Sequence, residues 1–573
     1  MRYSAMQSVL NLVRMESNLR GMSLPPPQFR IASLSKDLSE VKGFNSLQTF
    51  FPAMSKLYQL TPQQMDKVWL DTQWRITGLD ISGTSGPCTL NLVSNRDISG
   101  VESTRRPAFL KVTHLLDPIR WMKGKYSLPK NNGLPWLNKT WASAWTKLQD
   151  SWNQAYVETI ASYALGRMRD AGVSPHFNEF YGAFCARADV YRYNLTEEFG
   201  SYRNARWFWN GRNSNYFKIH VMNSADPSVP VSSDVFNDFN AEPPASELYS
   251  DSEDDENDEE IVITDEVVDT DLGSLHSGGM SELSFTKESE EDSDVDGSDD
   301  KIKVYAELSD FPVMLIAVEK NNGTMDALFD DYEEVGATVG TPEWELRWSA
   351  WIFQVVAAMS VAQTFIGLTH NDLHTNNIVW TPTTEEFLYY TLNSGATFKV
   401  PTFGKLFRVI DFGRAIFTIN GTQFISDDFR EKNDADGQYS FKPLHPRPKN
   451  EVLPNPSFDL ARLGVSLFEA LFPEKPDDKE GGAVLSSEEG LIMNETISPL
   501  CNCIWSWMLD DDGNNILVES NGEERFPGFD LYTHIAANVH GAIPSKQFSQ
   551  PAFDRFQVNP SEVGDVKKWL LYC

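Results

Sequence analysis

An α+β fold is predicted by two kinds of pattern that occupy different parts of the chain. Short apolar runs bounded by polar or turn-forming residues, at 88–93, 109–112 and 312–319, read as β-strands. Helical spacing is strongest later, where Trp348, Ile352, Val355, Val356 and Met359 recur through 342–365, with further helical faces at 504–509 and 529–539. One more helix is predicted over 149–168 from Tyr156, Ile160, Tyr163 and Ala164. With 573 residues, 41% hydrophobic content and 35 Phe, the chain can fill a core of several hundred residues.

The helix predicted at 342–365 runs into His370, Asn371, Asp372, Leu373, His374, Thr375, Asn376 and Asn377, and the apolar Ile378, Val379 and Trp380 follow as a short strand. A second apolar run, 406–410, leads into Asp411, Phe412 and Gly413. A hydroxyl nucleophile needs one carboxylate within hydrogen-bond reach, and a triphosphate with its magnesium needs oxygen ligands on the far side of the transferred group. These two motifs resemble the catalytic loop and the metal-binding turn of the protein kinase family. The resemblance implies a two-lobed fold, with a small β-rich N-terminal lobe and a larger, mainly helical C-terminal lobe. It also implies ATP and Mg2+ as cofactors, Asp372 as the base that orients the acceptor hydroxyl, and Asn377 and Asp411 as the metal ligands. His370 and Gly413 support these motifs.

The same resemblance makes demands upstream. Ile81, Gly83 and Gly86 precede a strand and are similar to a phosphate-covering hairpin, where glycines let the backbone approach charged oxygens. Lys111 sits in the apolar setting Phe109, Leu110, Val112, where a lysine needs a charged partner. Glu158, flanked by Val157, Thr159 and Ile160, is the candidate partner, so Lys111 and Glu158 form the expected ion pair. Glu319, Lys320 and Asn321 end an apolar strand and resemble the hinge that hydrogen-bonds adenine. Downstream, Asp459 in Asp459-Leu460-Ala461-Arg462 matches the helix whose aspartate braces the catalytic loop.

Several positions depart from the family pattern. Asn371 replaces the usual arginine before the catalytic aspartate, so phosphorylation of the activation segment is not expected to act as a switch. His374 replaces the usual lysine, as in haspin-like kinases and in small-molecule phosphotransferases resembling aminoglycoside kinases, and is expected to contact the transferred phosphate. No Ala-Pro-Glu motif is present, and residues 451–456 stand in its place. The reading is a divergent serine/threonine protein kinase resembling those encoded by large DNA viruses. A small-molecule phosphotransferase and a pseudokinase acting as a binding module are the alternatives.

Residues 251–300 hold 21 Asp or Glu against one Lys, a net −20 of the chain's −32, so the acidity belongs to one segment. An insert over 224–301 is therefore expected to be disordered, with Ser250, Ser252, Ser289 and Ser293 open to acid-directed kinases and the loop able to attract basic protein substrates. A second insert, 381–405, is expected as an extra hairpin or loop. The expected divisions are a helical extension over 1–72, with helix starts at 6–13 and at Thr61, an N-terminal lobe with hinge over 73–325, and a C-terminal lobe over 326–573. No basic stripe invites nucleic acid, and the apolar stretches 312–318 and 355–368 are read as too short or interrupted for a membrane span. Five scattered cysteines without metal spacing fit a reducing compartment, cytoplasmic or nuclear.

Overall fold

The computed structural model describes residues 29–33, 41–60, 64, 68–80, 85–95, 103–126, 142–223, 231–244, 248–249, 302–430, 433–439 and 453–571. In chain order the first part forms β1 (Ile31–Ser33), β2 (Phe44–Gln48), α1 (Pro52–Tyr58), β3 (Val68–Leu70), β4 (Trp74–Asp80), β5 (Gly86–Ser94), β6 (Ser103–His114), α2 (Pro118–Met122), α3 (Ala142–Gln149) and α4 (Gln154–Asp170). It continues with β7 (Phe180–Asn194), α5 (Phe199–Arg203), α6 (Arg206–Asn213), β8 (Lys218–Asn223), α7 (Ser233–Phe239) and β9 (Ile302–Glu319). A seven-stranded sheet takes the order β2-β7-β9-β6-β5-β4, with β8 added alongside β9. All its pairings are antiparallel.

Burial follows the strand period. Ala108, Leu110, Val112 and His114 are buried on β6, while Phe109, Lys111 and Thr113 between them are less so. On β9 the run from Phe311 to Ala317 is buried throughout, as a central strand covered on both faces requires.

Three expectations need correction. The described part of 1–72 is strands with one helix, not a helical extension, and β2 joins the main sheet against β7. Its strands are too short to carry a readable period; the helix starts expected at 6–13 and Thr61 lie outside the described residues. The helix expected at 149–168 forms but starts later, at Gln154, because Asn153 leaves helical geometry to cap α4, accepting from the Ala155 amide, and α3 ends before it. Nor is the 224–301 insert structureless throughout: α7 forms within it, and the Phe239 ring packs 5.3 Å from that of Phe199. Ser250 and residues 251–301 lie outside the described residues.

The second part contains β10 (Gly323–Thr324), α8 (Tyr332–Val335), α9 (Pro342–Ile366), β11 (Ile378–Pro382), β12 (Phe387–Leu392), β13 (Thr397–Pro401), β14 (Lys405–Val409), β15 (Ile416–Ile419) and β16 (Thr422–Ile425). After these come α10 (Phe458–Leu471), α11 (Pro499–Trp507), α12 (Asp530–Asn538), α13 (Pro551–Asp554), β17 (Gln557–Val558) and β18 (Lys568–Leu571). Local chemistry sets the ends of α9. Thr341 caps it by accepting from the Trp344 amide, Pro342 opens the first turn with Glu343 and Glu345, and Gly367 closes it at φ +59°. By length and hydropathy α9 would qualify as a membrane-crossing helix, contrary to the sequence reading, but its apolar window is wholly buried inside the protein.

The segment 381–405 forms the hairpin β12–β13, inserted between the paired strands β11 and β14. With β17 and β18 it makes a four-stranded sheet, which carries the C-terminal strands onto α9. Phe353 of α9 packs against Tyr390, Phe398, Phe548 and Phe553 at 5.2 Å each, so the hairpin is part of the core.

His176 ties this region together. Its Nδ1–H donates to the Phe407 carbonyl at 2.9 Å and its Nε2 accepts from the Tyr390 hydroxyl at 2.7 Å. Burial lowers its pKa to about 4, so the folded protein holds it neutral. A histidine depressed in the folded state contributes stability above its unfolded pKa and loses it as pH falls through the folded one. The stability difference between wild type and His176→Gln is therefore expected to narrow as pH drops from about 6.5 toward 4. Thermal midpoints of both proteins across that range check this.

Candidate active site

Lys111 lies mid-strand on β6, opposite Ile316 of β9. Its Nζ is 2.6 Å from Glu158 Oε1 on α4 and 2.9 Å from Asp411 Oδ1 beyond β14. One cation thus joins three elements. Burial works against the ammonium, but Asp411 and Glu158 outweigh it and hold the Lys111 pKa above its ordinary value. Glu158 is pushed up to about 7 by burial, against the pull of Lys111, with Asp411 adding repulsion. Asp411 is lowered, because Lys111 with smaller help from His370 and His374 overcomes the effect of burial.

The loop between α9 and β11 is pinned from below. Asp459 of α10 is fully buried and accepts from the amides of His370 and Asn371, both at 2.9 Å. Burial pushes its carboxyl up to about 6, moderated by His370 and those two amides. Asp459→Ala would strand two buried N–H groups at roughly 1–3 kcal/mol each. Chemical denaturation is expected to register that loss, and a drop below about 0.5 kcal/mol would contradict the bracing role.

His370 Nε2 donates to the Ile410 carbonyl at 2.8 Å and its ring packs 5.3 Å from Phe412, which fastens the loop to the Asp411 turn. The Ile410 amide donates to the Asn377 carbonyl at 3.0 Å, making a second fastening. Asn371 and Asp411 both have positive φ, 63° and 66°, a conformation rare for non-glycine residues and typical of constrained sites. Two positions after Asp411, a Cβ at Gly413 would stand 3.7 Å from Asp411 Oδ1.

Asp372 faces Arg414 Nη1 at 3.8 Å, and the Tyr532 hydroxyl of α12 stands 3.5 Å from its Oδ1. Arg462 donates to the same hydroxyl at 3.0 Å. The Asn377 side-chain amide donates to the Asp372 carbonyl at 2.9 Å, so its Oδ1 is the atom that could meet a cation. Asn377 Nδ2 also lies 3.1 Å from His374 Nε2, which must then accept. Burial lowers the His374 pKa despite Asp372, favouring a neutral imidazole where a lysine would supply an ammonium.

Among the described residues no group of three or more His, Cys, Asp or Glu side chains converges to hold a metal ion. Mg2+ borne on phosphates takes one or two protein oxygens and completes its shell with phosphate and water. The donor set of Asp411 carboxylate and Asn377 amide oxygen fits this mode.

The residues expected to face a nucleotide are distributed less simply. Ile81 and Gly83 lie outside the described residues, and Gly86 opens β5 opposite Leu110. Ser85 just before it accepts from the Val112 amide at 2.8 Å, closing the hairpin onto the Lys111 strand. Glu319 pairs through its side chain with Arg169 and with Arg408 at 3.3 Å, and its amide donates to the Glu179 carbonyl at 3.0 Å, so what is left to meet a base is its carbonyl, which also accepts from Asn321 Nδ2 at 3.4 Å. Asn321 accepts from Arg408 at 3.3 Å; Lys320 between them is exposed.

Sequence reasoning gave no role at Asp372 to Tyr532, Arg462 or Arg414. Arg414 adjoins the Asp411 motif and could have been singled out there. Tyr532 reaches Asp372 only through the packing of α12 and carries no local signal.

No protein-family model matches the chain, and no curated protein does. A solved structure titled "ROP18 kinase domain in complex with AMP-PNP and sucrose" resembles it at TM-score 0.26 and 9% identity, over 97% of this chain and 91% of that one. The site geometry, not this likeness, supports the reading that follows.

Proposed function

We propose that the chain is an ATP- and Mg2+-dependent phosphotransferase, a protein kinase that transfers the γ-phosphate of ATP to serine or threonine hydroxyls. The observation that carries this reading is the position of Lys111 Nζ between Glu158 and Asp411. Glu158 aims the ammonium and Asp411 brings it to the turn where phosphates would lie. Mg2+, held by Asp411 and Asn377, would neutralise charge on the β- and γ-phosphates.

Lys111 neutralises the phosphates from the strand side. Asp372 orients the acceptor hydroxyl and takes its proton, with Arg414 steadying the carboxylate at 3.8 Å. Asp459 keeps the loop backbone fixed, so little rearrangement is needed as charge develops. The neutral His374, whose Nε2 accepts from Asn377, has its Nδ1–H left to donate to the transferred phosphate without adding a charge.

The acceptor class is decided by offering casein, basic proteins and aminoglycosides together with radiolabelled Mg-ATP. Label on serine and threonine of the proteins is the expected result. Label confined to aminoglycosides would make the chain a small-molecule kinase, and nucleotide binding without transfer to any acceptor would make it a pseudokinase.

A further inference from the structure

After Gly413 the chain turns back through β15 and β16 and lands on a single 3-10 turn, Asp427–Phe429, at the start of α4. Asp427 is 1% exposed. Its Oδ1 accepts from the Gln154 amide at 2.8 Å, its own amide donates to the Trp152 carbonyl at 2.8 Å, and Oδ2 pairs with Lys147. The first N–H groups of a helix have no partner within it and carry the positive end of its dipole. Asn153 serves the Ala155 amide, and Asp427, from 273 positions away, serves that of Gln154.

Asp428 extends the link in both directions. With its amide oriented to satisfy both neighbours, Gln154 donates to the two Asp428 oxygens at 2.8 Å and accepts from His114 Nε2 at 2.8 Å. His114 stands on β6, three residues beyond Lys111. On the other side Asp428 Oδ2 is 3.7 Å from Arg414 Nε, whose Nη1 lies 3.8 Å from Asp372. Asn371 anchors the same segment without charge, donating to the Arg414 carbonyl at 3.0 Å and accepting from Gln438 at 3.3 Å.

We propose that Asp427 and Asp428 are positioning residues that dock the 414–430 segment on the first turn of α4 and so set Glu158, one turn further on, against Lys111. This role rests on the phosphotransferase reading. The docking needs no phosphate, since carboxylates of the chain itself supply the negative charge at the helix start, and this accounts physically for a neutral Asn371 where an arginine would otherwise collect a phosphate.

The test uses the full chain carrying Asp427→Ala, and separately Asp427→Asn combined with Lys147→Met. The second variant keeps an acceptor for the Gln154 amide and leaves no unpaired buried charge. Amide hydrogen exchange over 154–158 and kcat at saturating ATP and acceptor are measured for each. Asp427→Ala should speed exchange there at least tenfold and lower kcat about tenfold at unchanged acceptor KM, and the double variant should restore most of both. Unchanged exchange in Asp427→Ala overturns the docking, and faster exchange with unchanged kcat overturns the positioning. A wild type that transfers no phosphate defeats the phosphotransferase reading and the positioning with it, while the exchange result still decides the docking.

Discussion

Asp411→Asn is expected to lower phosphoryl transfer by roughly 10³-fold, because a carboxylate holding a metal on a phosphate contributes several kcal/mol to the transition state and each 1.36 kcal/mol is a factor of ten. The substitution keeps the shape of the side chain and its contact with Lys111, whose distance to Asp411 Oδ1 is 2.9 Å. Lys111 keeps Glu158 as a charged partner at 2.6 Å, so the stability lost with the Asp411 charge should be small beside the loss of activity. The positive φ of Asp411 is also tolerated by asparagine better than by most residues, which makes this variant cleaner than alanine. Initial rates at saturating Mg-ATP, with thermal midpoints as a control, check it. A loss below tenfold would remove Asp411 from the metal site.

Lys111→Met should affect both activity and stability. It removes the cation from a site where Glu158 is 4% exposed and Asp411 is only partly so. Breaking a buried pair from one side costs about 3–5 kcal/mol. Glu158 can escape part of that cost by taking up a proton, and the share of Asp411 is discounted for its exposure, so about 2–4 kcal/mol is expected.

The pH dependence has a definite sign. In the wild type Glu158 already stands at about 7, and losing Lys111 raises it further. A carboxyl raised in the folded state contributes stability at low pH and loses it as pH rises through the folded pKa. Asp411 changes in the same sense, because its depressed pKa contributes stability above the unfolded value only while Lys111 is present. The variant should be destabilised more at about pH 8 than at about pH 5, as read by urea unfolding at both. Phosphoryl transfer should fall roughly 10²-fold or more with the loss of the phosphate-binding cation.

What could be read from the sequence was chemistry confined to short stretches. Residues 370–377 and 411–413 carry their pattern within a few positions, and Lys111 and Glu158 stand out as charges in apolar surroundings. The long helix α9 was legible from Trp348, Ile352, Val355, Val356 and Met359 at helical spacing, although every position from Trp348 to Ile366 proves to be buried. Contacts made only by tertiary packing were not legible. Tyr532 approaches Asp372 across 160 positions and Asp427 reaches Gln154 across 273, and neither pairing leaves a local trace. The start of α4 at Gln154 was hidden because the turn before it is made by the polar side chains of Asp150 and Asn153 competing for backbone groups. At the start of the chain, strands of three to five residues are too short for a period-two pattern to emerge. α7 was missed because the acidity of 251–300 was extended to its neighbours.

The claim that Lys111, Glu158 and Asp411 form one phosphoryl-transfer centre is tested most directly by radiolabelled γ-phosphate transfer from Mg-ATP to a protein acceptor. Wild type and Asp411→Asn are compared at saturating nucleotide. Serine or threonine label with the wild type and its loss in the variant is the predicted result. Equal labelling by both proteins, or none by a wild type shown to bind Mg-ATP, would contradict it.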